Sequence, residues 1–446
     1  MNRKPLLSAL LSLTIFPALA QGYSLNECID YASKSHGSIV NANRDLEIAD
    51  RKIKETVGVM LPQIDGSSQY TDNLKLQTTM VDGTMFGAPG TMKALTFGTK
   101  HNFGASVQLS QKLFDPTFGI GLKAAKVSLD QSQTQLQLTK EQIAYNISVC
   151  YFQTLVIDKQ RKTLQSTLKT SKKQLETTQL RFETGTGKEI DVDKIRVGYN
   201  NLISQLEQVE LSYTQSLNNL KYYMGMPVEN TISLTDTTLI TSFQPLDKKN
   251  ELFDPEKRSD FQLQKIAIEA NELDKRRNQV MYLPTLSASL SYGVSAQRKT
   301  FNYFEKNQNW PDYSALVFSL RVPIFDGLQK HQRIQQSKLN IEKAKTKLDQ
   351  TKQAIQLEQS NYENQYQTAI NNIQNEKSNM ELAQKVYQKT LLSYEQGMVS
   401  AFELIQSENS WNESLNNYYA KLLNAYIAKI NLEQSKGNLI NYISNK

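Results

Sequence analysis

Few residues of this chain have the types and spacing that catalysis or metal binding would need. The histidines His36, His101 and His331 have no cysteine or acidic neighbours at ligand spacing, and no nucleophile and base are paired. Counting alone allows one disulfide between Cys28 and Cys150, but Cys150 lies on the apolar stripe of a predicted helix. We therefore expect two unpaired, buried thiols, no metal or cofactor, and no enzymatic activity.

The charge of the chain gives little support to a nucleic-acid partner. The 446 residues carry a formal net charge of +7, and Lys and Arg are scattered among Asp and Glu. Nucleic-acid binding usually requires a basic patch or stripe, so we predict no such partner.

The first residues predict export from the cytoplasm. Arg3 and Lys4 precede an apolar run that ends in the small residues Ala18 and Ala20, which is typical of a secretory signal peptide over residues 1–20. No cysteine follows the expected cleavage site, so no lipid attachment is expected. No later run of about 18 apolar residues is found, so strands would have to hold the chain in a membrane.

Two stretches, 119–183 and 327–395, are predicted to be very long helices. At a rise of ~1.5 Å per residue each would be roughly 100 Å long. Apolar residues that recur every seven positions are typical of helices that pack side by side in a coiled coil. A plain cytoplasmic coiled coil would share this spacing but not the segments around it. The residues that repeat are Leu122, Leu129, Leu136, Ile143, Cys150, Ile157 and Leu164 in the first stretch, and Ile334, Ile341, Leu348, Ile355, Tyr362 and Ala369 in the second.

The same order of elements is predicted twice. Each half has a helix that ends at Leu-Pro, two strands, a long helix, a turn with glycine and a return helix. We therefore divide the mature chain into repeat 1 (21–228), a connection (229–255) and repeat 2 (256–446). In repeat 1 we expect one helix over 24–60 and a long glycine-rich loop over 82–98.

The strands of repeat 2 alternate between apolar and polar residues. Strands of about a dozen residues can cross a bilayer when tilted. Four strands are too few to close a barrel, and an open edge in lipid would leave backbone groups unpaired, so other copies must supply strands. Trp310, Tyr313 and Tyr292 could form an interfacial aromatic belt or could pack within a loop. The candidate membrane-facing residues are Leu286, Leu290, Tyr292, Leu316, Phe318 and Leu320.

Short motifs recur at matching places in the two halves. They are the Leu-Pro ends before the strands, Val-Pro-Ile-Phe-Asp-Gly at 322–327, and the paired turns Phe-Glu-Thr-Gly at 182–185 and Tyr-Glu-Gln-Gly at 394–397. Together these motifs resemble the TolC family of outer-membrane efflux proteins. The resemblance implies a mixed, mostly α fold whose two repeats form, as a homotrimer, a twelve-stranded transmembrane β-barrel continued by a long α-helical coiled-coil barrel.

The resemblance also implies a location and partners. The protein would lie in the outer membrane of a Gram-negative bacterium and span into the periplasm. Its partners would be outer-membrane lipid, a periplasmic adaptor (membrane fusion) protein and an inner-membrane transporter.

The two turns are, by this resemblance, the sites where the adaptor docks. The glycines are needed in any case to reverse the chain, so a purely structural role is the alternative. Val399 stands where the better-known pattern has a basic residue that latches the closed state, and Lys188 or Arg181 could take over that role. The docking candidates are Gly185, Thr186, Gly397, Met398, Val399 and Ser400.

The acids just past the turns are candidates for the pore constriction. Asp191 and Glu403 occupy equivalent positions in the two repeats, and similar family members carry acids there. Three copies of Glu403 would form an acidic ring that favours cations. The alternative is an acid that is favoured at a helix start by the helix dipole. Gln406, also a constriction candidate, replaces a second acid one turn later.

The implied function is passive conduction of substrates that an inner-membrane pump exports through the adaptor. Drug or small-molecule efflux and type I secretion both use such channels. An envelope coiled-coil scaffold or a surface fibre without transport activity is the alternative. The alternating strand at 286–295 favours the channel, because a fibre has no use for an apolar outer face.

Overall fold

A computed structural model of the protein describes residues 21–236, 243–245 and 254–444. The expected signal peptide and part of the connection between the repeats lie outside these residues. Their predicted properties therefore stay predictions, as do the repeat boundaries.

In the described part of the first half, the predicted strands and long helices come in the expected order, and four short strands are additional. The elements of this half are β1 (Gln21–Tyr23), α1 (Leu25–Ser35), α2 (Gly37–Gly58), β2 (Gln63–Asp72), β3 (Thr78–Asp82), β4 (Met92–Thr96), β5 (His101–Phe114), α3 (Phe118–Glu183), α4 (Glu189–Met224) and β6 (Ile232–Leu234), with a short 3-10 turn at Gly83–Phe86.

The second half repeats this order with fewer additions. Its elements are α5 (Ser259–Val280), β7 (Thr285–Arg298), β8 (Asp312–Arg321), α6 (Gln329–Glu395), α7 (Ala401–Ser435) and α8 (Leu439–Ser444).

The chain forms two compact units, and each unit combines parts of both halves. The helical unit holds the described parts of Met1–Asp45, Ser132–Gln264 and Lys347–Lys446. The strand-bearing unit holds Leu46–Gln131 and Lys265–Thr346.

The long helices confirm the heptad prediction. α3 ends at Glu183 and α6 at Glu395, as expected from the glycine turns that follow them. Both thiols are free and buried, in agreement with the sequence. Among the described residues, no helix combines the length and the apolar character that crossing a membrane requires. The stripe residues buried along the two helices include Leu136, Ile143, Cys150, Leu164, Ile341 and Ile355.

The single helix predicted over 24–60 is in fact two helices. The predicted capping box is present, because the Ser24 side chain accepts from the Glu27 N–H and Glu27 reaches back to the Ser24 N–H. At His36 the backbone is extended and α1 ends. The end of α4 approaches this break so closely that a Cβ on Gly225 would lie 2.8 Å from the Cα of His36. The break is therefore set by a tertiary contact that the local sequence does not contain.

A four-stranded antiparallel sheet in the order β2-β5-β7-β8 forms the strand-bearing unit together with the hairpin β3-β4. The loop predicted over 82–98 was wrong, since Thr78–Asp82 pairs with Met92–Thr96 and only the turn between them is irregular. In β5 a register shift between Lys112 and Phe114 places Phe114 opposite Leu286. Leu113 is therefore a bulge residue and does not continue the alternation of β5.

Candidate functional site

The two predicted turns have the same geometry. Gly185 has φ 75° and Gly397 has φ 73°, in the left-handed region that favours glycine. In the first turn the N–H of Thr186 donates to the Arg181 carbonyl at 2.8 Å, and in the second the N–H of Met398 donates to the Ser393 carbonyl at 2.9 Å. These bonds are those of a Schellman motif, so the helices α3 and α6 end in the same way.

The helices that follow the turns begin differently. Ser400 caps α7, because its hydroxyl oxygen accepts from the Glu403 N–H at 3.3 Å. Lys188 is the corresponding residue of α4, and its side chain makes no capping bond. Asp191 and Glu403 both lie in the first helical turn, where a carboxylate is favoured by the helix dipole. The fold is therefore consistent with the alternative in which these acids only stabilise the start of a helix. Their role in the pore stays a prediction.

Arg181 connects the two turns within one chain. Its guanidinium donates to the carbonyl of Tyr394 at 3.3 Å and also to the carbonyl of Glu395. It also lies 5.8 Å from the centre of the Tyr394 ring, and the Tyr394 hydroxyl is 3.0 Å from the Thr178 hydroxyl. Because the carbonyls at a helix end have no partner within the helix, Arg181 supplies donors that the end of α6 lacks. Sequence reasoning singled out Arg181 but missed Tyr394 and Thr178 as its neighbours.

Glu403 and Gln406 line one groove between α6 and α7, whereas Asp191 is not among its lining residues. The groove has a volume of about 910 Å³, and acids outnumber bases along it. Val399, which stands where the better-known pattern has a basic residue, is half-buried and packs on an apolar core at the tip. The charged residues of the groove are Glu376, Lys389, Glu403 and Glu413.

The surface of the two turns is rich in exposed apolar side chains. Met398 is 73% exposed and Phe402 62% exposed. The apolar residues of the other turn, Phe182 and Ile190, are exposed as well. A cluster of exposed apolar residues of this kind is typical of a surface that a partner covers.

Beneath this surface lies a buried core that sequence reasoning missed. Tyr387 of α6 stacks on Trp411 of α7 with the ring centres 5.1 Å apart, and Leu404 packs beside them. Glu408 is also buried, and burial raises the pKa of its carboxyl to about 7. The signal was available, because Leu404, Glu408, Trp411 and Leu415 follow heptad-like spacing, and Glu408 is an acid on that stripe.

One face of the sheet is apolar and exposed. Leu290 of β7 lies between Leu109 of β5 and Leu316 of β8, and Leu286 lies opposite Leu320. Of the six candidate membrane-facing residues, Leu286 is half-buried and the other five are exposed. Such a continuous apolar row needs a covering medium or partner.

The aromatic residues of the β7–β8 connection do not behave alike. Trp310 packs on Phe103 and Tyr303, with ring centres 5.4 and 5.7 Å apart, so it belongs to a packed loop cluster. Tyr292 and Tyr313 are about half exposed, and the Tyr292 hydroxyl donates to Asp312 at 3.4 Å. An interfacial position for these two residues stays a prediction.

These features define a class of protein. A mostly helical chain with the same order of long helices and strand pairs in each half, paired glycine turns and one exposed apolar sheet face has the design of an outer-membrane channel. The model of the family "Outer membrane efflux protein" matches residues 29–226 and 256–438, and the chain belongs to this family.

Known relatives agree with this assignment. The chain is 23% identical to outer membrane protein TolC of Salmonella enteritidis over 374 residues, which cover 82% of this chain and 72% of that protein. The outer-membrane channel OprN is 15% identical with a TM-score of 0.71, and 93% of this chain and 90% of that chain are covered. The CmeC outer membrane channel of Campylobacter jejuni is 16% identical with a TM-score of 0.69, and 93% and 86% are covered. The protein is therefore an outer-membrane efflux channel protein and not an enzyme.

Proposed function

We propose that three copies of this chain form one passive export channel, whose sheets lie in the outer membrane. The observation that carries the proposal is the exposed apolar face of the four-stranded sheet, together with its two edge strands, β2 and β8. An edge strand in lipid would leave backbone donors and acceptors unpaired at a cost of several kcal/mol for each group. Pairing of β8 with β2 of the next copy removes both edges, and three copies give twelve strands.

The two turns dock a periplasmic adaptor that connects the channel to an inner-membrane transporter. The exposed residues Met398 and Phe402 provide apolar contact area, and an adaptor would cover it. The candidates Gly185, Thr186, Gly397 and Ser400 shape the turns. Energy for export comes from the transporter, and the cargo is a small molecule or drug, or a protein secreted by a type I system.

Glu403 forms the acidic ring at the channel entrance, with Gln406 one turn behind it. Both side chains line the same groove, which supports a shared position along the conducting path. Asp191 contributes less, because it is only half exposed and lies outside this groove.

Photo-crosslinking in cells tests the docking proposal. A probe at Met398 is suitable because this side chain is exposed and makes no cap, unlike Ser400. We expect it to capture a periplasmic adaptor, and the class of the associated pump would identify the cargo. A probe at Tyr222, which is 67% exposed at the other end of α4, is the matched control. Capture of nothing by the Met398 probe from an assembled outer-membrane trimer would contradict docking and leave a standing pore or a scaffold as the better account.

A further inference from the structure

Three neighbouring side chains of α7 form a buried polar cluster, which we call the Glu408 cluster. Glu408, Trp411 and Asn412 are 5%, 8% and 7% exposed. Within the described part of the chain, Glu408 Oε1, Trp411 Nε1 and Asn412 Oδ1 have no hydrogen-bond partner. Three orphaned polar atoms on one helix face are unusual, because buried polar groups are nearly always paired.

The walls of the cluster come from three other helices and offer Glu408 no positive charge. From α6, Tyr387 stacks on Trp411, and its hydroxyl accepts from Gln174 of α3 at 3.5 Å. From α4, Gly198 lies so near that a Cβ there would be 3.9 Å from Glu408 Oε2.

The cations of α4 on this side have other partners, and Lys194 lies over the Phe402 ring at 6.0 Å. Arg196 of α4 is 3.8 Å from Asp193 and donates to Gln179 at 3.4 Å. On α7 itself, Glu403 and Glu413 are exposed. Tyr387 is the titratable group that faces Glu408, and burial and the Glu408 charge both raise the pKa of its hydroxyl. Among the described residues, no cation forms an ion pair with Glu408.

The cluster suits a neutral carboxylic acid better than a carboxylate. Burial alone raises the pKa of Glu408 from the usual 4.5 to about 7. Of the three orphaned atoms, Glu408 Oε1 and Asn412 Oδ1 are acceptors and Trp411 Nε1 is a donor. A proton on Glu408 therefore provides a second donor for this cluster. An ionised Glu408 would be a buried charge without a partner, which is strongly unfavourable.

We propose that the Glu408 cluster is a proton-operated device that holds α7 against α3, α4 and α6 when Glu408 is neutral and loosens the tip when Glu408 ionises. That the tip is the channel entrance rests on the proposed function, so periplasmic pH would regulate opening of the entrance. In the loosened state water reaches the carboxylate.

The direction of the pH effect follows from the two protonation states. The packed state binds the proton more tightly than the loosened, hydrated state, so packing is favoured at low pH. As pH rises from about 4.5 to about 7 this advantage is lost, and above about 7 it is fully absent. The ratio of loosened to packed tips should rise on the order of 100-fold across this range, since each unit of pKa difference is a factor of ten.

The fluorescence of Trp411 tests the device in the purified full-length protein. The sequence has two tryptophans, so Trp310→Phe leaves Trp411 as the sole reporter. We expect its emission to shift to longer wavelength with a midpoint between pH 4.5 and pH 7, and Glu408→Gln in the same background to abolish the shift. Glu408→Leu is a second variant in case the glutamine protein does not fold.

The control is Glu413→Gln, which removes an exposed acid of the same helix and should leave the shift intact. A shift that persists in both Glu408 variants, or no shift in the parent, would overturn the proposal.

Planar-bilayer conductance then tests the link to the entrance. The parent should open more often at pH 8 than at pH 5.5, while Glu408→Gln should open equally rarely at both. If fluorescence responds to Glu408 but the opening of a conducting channel does not, regulation by the cluster is overturned. If no variant conducts, it is the proposed channel function that fails, and the fluorescence comparison still decides whether the cluster is a proton-operated contact.

Discussion

Two glutamates one and a half turns apart on α7 have opposite surroundings. Glu403 is exposed, and its backbone N–H is held by the Ser400 cap, whereas Glu408 is buried against Tyr387 and Trp411. An exposed carboxylate is accessible to water and to passing ions. A buried carboxylate without a cation is pushed toward its neutral form.

Removing the carboxylate of Glu403 should reduce the preference of the channel for cations. Three copies of this charge around a narrow path would attract cations and repel anions. We expect Glu403→Ala to lower the cation-to-anion permeability ratio severalfold in bilayer recordings under a salt gradient. Glu413→Ala, which removes the same charge from the far part of the same groove, should change the ratio less. Equal ratios in parent and Glu403→Ala would refute the ring.

Removing the guanidinium of Arg181 should loosen the contact between the two turns. Arg181→Ala leaves the carbonyls of Tyr394 and Glu395 without this donor, a loss of about 1–3 kcal/mol for charge-assisted bonds. The backbone amides that follow Glu395 in the second turn should therefore exchange their hydrogens with solvent faster. Arg196→Ala is the control, since Arg196 is more exposed and binds Gln179 and Asp193. If exchange in the second turn is the same in both variants, Arg181 does not hold the turns together.

At the level of elements, the four glycines that follow long helices separate into two pairs. All have φ between 66° and 75°, so each requires glycine-like backbone freedom. At Gly185 and Gly397 a Cβ would meet nothing within 4 Å, whereas at Gly225 and Gly437 it would meet backbone at 2.8 and 2.5 Å. The turns at the tip are thus open, and those at the other helix ends are packed.

This difference predicts unequal costs for the same substitution. Gly397→Ala should destabilise the protein by about 1–2 kcal/mol, the strain of the left-handed conformation alone. Gly225→Ala should cost a further ~1–3 kcal/mol, because its new methyl group meets the backbone of His36. The midpoints of urea unfolding of the detergent-solubilised protein would show this, and indistinguishable midpoints would contradict it.

The helices and strands also show which parts of the fold could be predicted from the sequence. The heptad spacing predicted α3 and α6 as long helices because coiled-coil packing imposes a regular pattern along a helix, and the glycine turns predicted where they end. The hairpin β3-β4 was missed because the glycines at 83, 87 and 90 dominate the pattern, although they occupy only its turn. The pairing of β1 with β6 joins Gln21–Tyr23 to Ile232–Leu234, and no local signal encodes such a distant contact. Glu408 carried a readable signal, an acid on an apolar stripe, but its burial depends on Tyr387 and Gly198 of other helices.

At the scale of the whole molecule, the sheet provides a test of which medium each face meets. Neighbouring residues of β8 point to opposite faces, so Phe318 belongs to the apolar row while Ser319 faces the other side opposite Ser287. Phe318 is 64% exposed in the single chain, which agrees with a lipid-facing position in the proposed trimer.

A lysine at these two positions should therefore have very different effects. A lysine on the lipid face near the bilayer centre costs about 2–4 kcal/mol per copy, while a lysine facing the water-filled interior costs little. We expect Phe318→Lys to reduce strongly the amount of heat-resistant oligomer in outer-membrane fractions, and Ser319→Lys to leave it near the parent level. The pair shares strand, charge and chain position, so a general effect of the lysine on synthesis or export would lower both. Equal losses of oligomer, measured relative to the amount of exported protein, would contradict a lipid-facing position for Phe318, and the arrangement of the three sheets would have to be revised.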